Sequence, residues 1–250
     1  ATILPKVELS DVPAGIHFHP SERLESTATS NVPVSFYPQG TNGIVYQQVI
    51  LPMPEFTAAQ QQLLPLFTSF MTELGIGELD YLQTQALQAA NCGSLSVYSS
   101  MRPMPASEQD MRAFMVFSGK ALRNKSDALG DLLQQTFEQV RFDELPRMKE
   151  LIAQMSARRE QSITGNGHGL AMSAASSGMS PVSLLSYKSS GMEGIRWLKG
   201  LAADRDLEAM QGEFTAMHAL LMQQSRQLLV VAEAEHQEAL VNGFNSRFAN

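Results

Sequence analysis

The sequence has 250 residues, which is enough for one large domain or two small ones. Hydrophobic residues make up 44% and charged residues 17%, a composition that excludes a disordered chain or a coiled-coil rod and supplies a sizeable core. The net charge of −7 argues against nucleic-acid binding, and the longest purely aliphatic stretch, residues 228–232, is far shorter than the roughly 20 residues that span a membrane.

The cysteine content and the first residues leave the compartment unknown. The single cysteine, Cys92, excludes an internal disulfide and a cysteine-rich zinc site. Residues 1–10 hold no continuous apolar segment typical of a signal peptide. Because the sequence begins with alanine rather than methionine, we expect it to be either a piece of a longer protein or a processed chain.

The chain is expected to divide into a lead-in and one module. Residues 1–30 contain several prolines and show no helical periodicity, so they are interpreted as a lead-in or linker segment. Ordered structure is expected to begin near Val32, and residues 31–250 are expected to form a single module.

Two strands are predicted first, at residues 34–36 and 44–51, where β-branched and aromatic side chains concentrate. The Asn42-Gly43 pair between them is a strong hairpin signal, since both residues tolerate the left-handed backbone of a tight turn. Pro52 ends the second strand. We therefore expect these two strands to pair directly.

Two helices follow. Apolar residues at spacings of three and four predict a helix from Thr57 to Leu74, and Pro65 inside this stretch leads us to expect that the helix restarts there. The second helix is predicted for residues 80–91, with Gly93 just beyond its end.

The remainder combines further strands with several helices. Residues 94–101 and 112–118 are predicted to be strands, and Ser126 is predicted to be a helix N-cap. Because strands arrive in pairs between pairs of helices, the fold class is predicted to be α+β, an antiparallel sheet layered with helices. The other predicted elements are helices at 126–140, 142–164, an Ala/Ser-rich stretch after Gly169, 206–221 and 236–248, and a strand at 228–231.

The sequence carries no familiar catalytic motif. Its five histidines lack the His-x-x-x-His spacing of zinc peptidases, and no Gly-x-Ser-x-Gly element occurs. His17 and His19 could hold a metal from one side of an extended chain, or they are two solvated loop histidines. Cys92 could act as a nucleophile beside a histidine, but a small packed thiol is the usual role of a free cysteine.

Two other features have a structural and a functional interpretation. The glycine-dense loop at residues 165–169 follows a helix and lacks the lysine of a P-loop, so a tight turn between helices is favoured over a phosphate site. The methionine-rich helix after Asp206 is interpreted as core, with a peptide groove as the alternative.

Several segments, each weak alone, together resemble one protein family. The most specific are residues 155–160, Met-Ser-Ala-Arg-Arg-Glu, and residues 165–171, Gly-Asn-Gly-His-Gly-Leu-Ala. The others are residues 4–13, 41–46, 64–67, 72–75, 88–96 and 117–122. In this order they cover most of the chain and are similar to the peptidase-associated region of the presequence protease and falcilysin family, which are zinc metallopeptidases of the insulinase-like superfamily.

The resemblance implies a place in a larger enzyme. Such enzymes contain four related α+β modules, arranged as two halves that close around a peptide-degrading chamber. Their zinc is bound in the first module by an inverted His-x-x-Glu-His motif and a distal glutamate. This sequence is similar to the third module, which opens the non-catalytic half. It is therefore expected to hold no catalytic residue, no metal ligand and no cofactor, with zinc bound elsewhere in the parent enzyme.

The implied function is that of a non-catalytic, chamber-forming domain of a zinc metalloendopeptidase that degrades unfolded oligopeptides. Its partners would be the catalytic half of the same chain and unfolded peptides, with basic ones favoured by the negative net charge; nucleic acid and membrane are not expected partners. Ser94, Ser96, Ser99 and Ser100 are candidate contacts to a substrate in the chamber, or they form an ordinary solvent-facing strand side.

A second function is compatible with the same residues. The chain could be an autonomous peptide- or partner-binding module that has a protease-like fold and no activity. An inverted His-x-x-Glu-His motif upstream in the same reading frame would favour the peptidase interpretation, and its absence would favour the autonomous module.

Overall fold

The computed structural model describes residues 6–15, 18–25, 30–204 and 206–249. Within these ranges the chain forms a single six-stranded sheet with α-helices packed against it. The strands are β1 (Glu22–Leu24), β2 (Val34–Pro38), β3 (Ile44–Pro52), β4 (Ser94–Met104), β5 (Ser107–Leu122) and β6 (Gln227–Ala232). The helices are α1 (Ala58–Glu73), α2 (Tyr81–Asn91), α3 (Ser126–Glu138), α4 (Leu145–Gly165), α5 (Gly167–Ser176), α6 (Pro181–Ser190), α7 (Met192–Ala203), α8 (Leu207–Met222) and α9 (Gln237–Ser246).

The sheet has the strand order β1-β2-β6-β3-β5-β4. Four of its five strand pairs are antiparallel, and β2 and β6 form the one parallel pair. Because the strands are largely antiparallel and the helices follow them in groups, the α+β prediction is confirmed.

The Asn42-Gly43 turn forms, but the hairpin predicted around it is wrong. Asn42 has φ +54° and Gly43 has φ +79°, and the Ile44 N–H donates to the Thr41 carbonyl at 3.3 Å. However, β6 lies between β2 and β3 and pairs with both, so those two strands never meet. The Gly43 N–H also donates to Glu233, just beyond β6, at 2.8 Å. A tight turn fixes the local backbone, whereas the strand neighbour is chosen by a segment about 190 residues further along.

The core lies between one face of the sheet and the helices. Its centre is a group of phenylalanine rings contributed by α1, α8 and the segment before α4. Phe214 has its ring centroid 5.5–5.8 Å from those of Phe67, Phe70 and Phe142. The apolar stripe predicted on α8 is buried at Met210, Phe214, Met217 and Leu221. The methionine-rich helix is therefore part of the core, as the sequence pattern indicates.

Helix α1 runs without a break through Pro65, so the predicted restart is wrong. Thr57 caps the helix and accepts a hydrogen bond from the Gln60 N–H at 3.3 Å. Leu64 and Leu66, on either side of the proline, are almost fully buried. Burial of both side chains favours a continuous helix, and the free energy of this burial offsets the loss of the hydrogen bond that proline cannot make.

Other helix boundaries also differ from the predictions. Ser126 is the first residue of α3 rather than its cap, because a 3₁₀ turn at Arg123–Lys125 leads directly into the helix. Helices α6 and α7 were not predicted as separate elements. The start of α6 has a signal in the sequence, since Ser180 accepts from the Ser183 N–H at 3.2 Å and Pro181 occupies the first turn.

The sheet also begins earlier than expected. Strand β1 lies within the predicted lead-in and pairs antiparallel with β2, so ordered pairing precedes Val32. The division of the chain at residue 30 stays a prediction. In the described part of the chain, no helix combines the length and apolar character needed to cross a bilayer.

Candidate functional site

The two faces of the sheet differ in burial. Along β6 the side chains alternate between buried and partly exposed positions, and β3 follows the same pattern. The buried positions, such as Val49, Phe117 and Leu228, belong to the core shared with the helices. We call the opposite side the open face; its central positions are Ser35, Tyr37, Tyr46, Gln48, Ile50, Ser94, Ser96, Tyr98, Val116, Ser118, Lys120, Leu229 and Val231.

The structure places the four candidate serines of β4 on two different sides of the strand. Ser94 and Ser96 lie on the open face and are exposed. The Ser96 hydroxyl reaches the Ser118 carbonyl at 3.5 Å, and Gln48 Nε2 donates to the Ser118 hydroxyl at 3.1 Å. Ser99 has the opposite strand parity and is partly buried, while Ser100 returns to the open face. A single surface therefore does not contain all four hydroxyls.

The paired positions of the open face carry basic rather than acidic side chains. Among its regularly paired positions, the charged side chains are Arg23, Arg102, Arg112 and Lys120. Arg102 and Arg112 are direct cross-strand partners. Arg23 is paired with Glu25 at 2.6 Å, and Glu108 and Asp110 lie on β5 beyond the regularly paired positions. The preference for basic peptides stays a prediction.

A cleft adjoins the outer edge of β4, the last strand of the sheet. We call it the edge cleft; its volume is about 420 Å³, and it lies between α1, α4, α6 and the strand β4. Tyr98 and Ser99 of β4 line one side, and Ser186 and Ser189 of α6 line the other. Within the described chain β4 pairs only with β5, so its second edge has no strand partner.

Arg159 of α4 lies in this cleft and is about half-buried. Its Nη1 donates to the Ser189 carbonyl near the C-terminus of α6 at 2.5 Å. Burial lowers the pKa of the guanidinium, because the charged form loses hydration. This residue belongs to the most specific of the sequence segments noted above, but nothing in the sequence indicated its position in a cleft.

The other candidate residues have structural surroundings. Cys92 is partly buried, its thiol contacts the Gln88 carbonyl at 3.2 Å, and burial raises the pKa of the thiol. His218 is largely buried with Nε2 2.7 Å from the Phe137 carbonyl, and burial lowers its pKa. Both surroundings favour the neutral side chain, which suits packing more than catalysis.

The described residues contain no group of three His, Cys, Asp or Glu side chains placed to hold a metal ion. His17, half of the candidate pair, lies outside the described residues, so the pair itself is not placed.

The glycine-dense loop is a turn between helices, as its sequence indicated. Helix α4 ends at Gly165 and α5 begins at Gly167, with Asn166 between them. Close approach of two backbones is not the reason for these glycines, since a Cβ at Gly165 or Gly167 would meet nothing within 4 Å. The loop thus provides a short link between the two helices.

Residues 1–201 match the model of a protein family described as associated with peptidase M16, subfamily C. The chain belongs to this family. A curated relative, the mitochondrial presequence protease of Danio rerio, is 27% identical over 210 residues, which is 84% of this chain and 20% of that protein. The chain thus spans about one fifth of the length of the curated relatives it matches. The resemblance noted in the sequence is confirmed.

Solved structures share the fold of this peptidase-associated chain. A conserved protein from Enterococcus faecalis superposes with a TM-score of 0.60 at 10% identity and covers 92% of this chain and 52% of its own. The peptidase M16 inactive domain from Pseudomonas fluorescens has a TM-score of 0.56 at 15% identity, covering 92% and 50%. At these identities the likeness concerns the fold alone, and it confirms the predicted sheet layered with helices.

Proposed function

We propose that this chain is a non-catalytic wall of a peptide-degrading chamber in a longer zinc metalloendopeptidase. The open face carries this proposal. A sheet that is covered by helices on one side and left partly exposed over several strands on the other can form the wall of a cavity when a second module faces it. Membership of a peptidase-associated family supports the same role.

A closed chamber would select its substrates by size. A folded protein cannot enter an enclosed cavity, whereas an unfolded oligopeptide can thread into it. Closure also removes water from around the scissile bond and holds the peptide in position. The wall needs only side chains that contact an extended chain, and Ser94, Ser96 and Tyr98 meet that need. Ser99 belongs instead to the edge cleft.

Zinc is assigned to another part of the parent chain. His218 is committed to the Phe137 carbonyl inside the protein, and the described residues offer no ligand set that fits the ion. No step of the hydrolysis is therefore assigned to residues of this chain. Its partner would be the catalytic half of the same polypeptide.

The proposal is tested by comparing peptide hydrolysis by the longer parent chain and by this 250-residue chain, each with and without a zinc chelator. We expect the parent to cleave peptides of increasing length up to a size limit and to lose activity with chelator. The isolated chain should be inactive. Cleavage by the isolated chain that persists in chelator would refute the assignment.

A matched pair of variants tests the wall itself in the parent enzyme. Ser96→Trp places a large side chain on the open face and should slow hydrolysis of long peptides more than of short ones. Ser173→Trp on α5 is the control, because the main neighbours of this helix are α4 and α6 rather than strands of the sheet. Equal effects of both variants on long and short peptides would refute the assignment of the open face to the chamber wall.

A further inference from the structure

The edge cleft is lined by polar and apolar side chains in similar measure, and no aspartate or glutamate is among the described residues that line it. Its one charged group is the Arg159 guanidinium, and serine hydroxyls, Gln61, Thr68 and Tyr98 supply the other polar groups. A cleft of this kind is electrostatically suited to a negatively charged ligand group.

Arg159 lacks a carboxylate partner among the described residues. The neighbouring Glu160 pairs with Lys199 at 3.3 Å instead. A guanidinium presents five N–H donors in a planar fork, and the Ser189 carbonyl engages one of its nitrogens. A half-buried guanidinium without a counter-ion is costly, and a carboxylate that arrives with a ligand removes that cost.

Two main-chain features beside Arg159 suit an extended peptide. The free edge of β4 offers N–H and C=O groups that can add a strand. On the α1 side, Pro65 has no N–H, so the Gln61 carbonyl lacks its usual helix donor, and both residues line the cleft. An acceptor without its helix donor suits a peptide N–H.

We propose that the edge cleft binds an extended peptide through a carboxylate, with Arg159 as the anchoring residue and the free edge of β4 as the main-chain contact. The carboxylate is either the peptide's C-terminus, which every oligopeptide carries, or an acidic side chain. This proposal rests on the proposed function only in taking a peptide as the ligand. The cleft meets the open face at Tyr98, but Arg159 lies only in the cleft, so the binding role assigned here does not depend on the open face.

A purely structural role for Arg159 makes a different prediction. If the guanidinium only holds the C-terminus of α6, its replacement lowers stability and affects all peptides equally. If it anchors a carboxylate, its replacement abolishes the difference between peptides with and without that group. The dependence of affinity on the ligand carboxylate therefore separates the two roles.

The experiment measures binding of N-terminally labelled ten-residue peptides to the 250-residue chain by fluorescence anisotropy at low salt. Three probes share one Gly/Ser/Ala-rich sequence: the free acid, the C-terminal amide, and the amide with one internal glutamate. We expect a carboxylate-bearing probe to bind the native chain roughly 10- to 100-fold more tightly than the plain amide. The advantage should shrink as salt is raised.

The variants locate the effect. Arg159→Gln should reduce the ratio of the affinities for the carboxylate-bearing probe and the plain amide to about one. Arg158 is an exposed neighbour on the same helix, and Arg158→Gln should leave this ratio unchanged. Arg159→Lys keeps a cation that can still donate to the Ser189 carbonyl, and it should lose part of the preference while remaining folded. Thermal unfolding of each variant checks that the fold is intact.

The outcomes are distinct. Arg159-dependent preference for the free acid supports the proposal with the C-terminus as the source, and the same dependence for the internal glutamate supports it with a side chain as the source. Equal affinities, no binding of any probe, or a preference that survives Arg159→Gln overturns it. Because no hydrolysis is measured, failure here leaves the chamber proposal intact, and loss of zinc-dependent cleavage in the parent leaves this binding result intact.

Discussion

Replacing Pro65 by alanine should stabilise the protein. Pro65 lies in the eighth position of the 16-residue helix α1, where a proline removes one hydrogen bond and costs about 3 kcal/mol relative to alanine. Proline also restricts the unfolded chain, an advantage of roughly 0.4–1 kcal/mol that the substitution gives up. The net gain is therefore about 2 kcal/mol, which for a chain of this size raises the Tm by about 4–8 °C.

Pro146→Ala is the matched control. Pro146 occupies the first turn of α4, where its missing N–H has no helix partner to lose, so this substitution should leave the stability unchanged or slightly lower. Urea titration monitored by far-UV circular dichroism compares the two variants with the native chain.

The result also bears on the edge cleft. The alanine variant restores an N–H donor for the Gln61 carbonyl, so it should weaken peptide binding as it raises stability. An unchanged or lowered midpoint for Pro65→Ala would refute the reasoning, because it would mean that the proline ring contributes packing worth as much as the lost hydrogen bond.

Three further predictions concern the core and its titratable groups. Phe214→Ala should cost about 3–5 kcal/mol in denaturant titration, because the ring is fully buried among three others, whereas Phe18→Ala at an exposed position should change the free energy of unfolding by less than about 0.5 kcal/mol. His218 has a folded-state pKa below its unfolded value. Its contribution to the free energy of unfolding is therefore complete above the unfolded pKa of about 6.5 and is lost as the pH falls below that value. His218→Gln should flatten the dependence of Tm on pH between about 7.5 and 5.5, and a native profile with no slope there would contradict the neutral buried state. Cys92 should react slowly with a thiol reagent at about pH 7 and faster as the pH rises, since burial raises the pKa of its thiol; a rate equal to that of free cysteine would show that the side chain is open to solvent.

Most individual elements were predictable because their signals are local. The apolar stripe of α8 repeats with helical spacing, so its buried positions could be named from the sequence. The strand around Val230 and the start of α2 near Asp80 were also found at the expected places. The α+β class followed from the order of these elements along the chain.

Errors arose where packing outweighed local preference. Pro65 breaks helices in isolation, but burial of Leu64 and Leu66 holds α1 in one piece. Helix α6 was missed because its residues are largely small or polar and form a weak apolar stripe. The Ser180-Pro181 pair indicates a helix start, but no apolar stripe follows it to indicate the helix itself.

The candidate site depended still more on tertiary structure. Ser94 and Ser96 could be assigned to one strand face by their spacing alone, and the same parity argument separates Ser99 from them. Arg159 could not be found in this way. Its cleft is formed by elements spread between residues 61 and 190, and only their packing brings the guanidinium beside the edge of β4.

The sequence by itself determined the fold class, the family resemblance and the position of most helices and strands, since each rests on periodicity or on short segments read in order. The tertiary structure decided that β6 enters between β2 and β3, that the sheet keeps one face open, and that Arg159 lies in a cleft whose described lining has no acidic partner for it. These features depend on contacts between residues distant in the chain, whose energies no local pattern encodes.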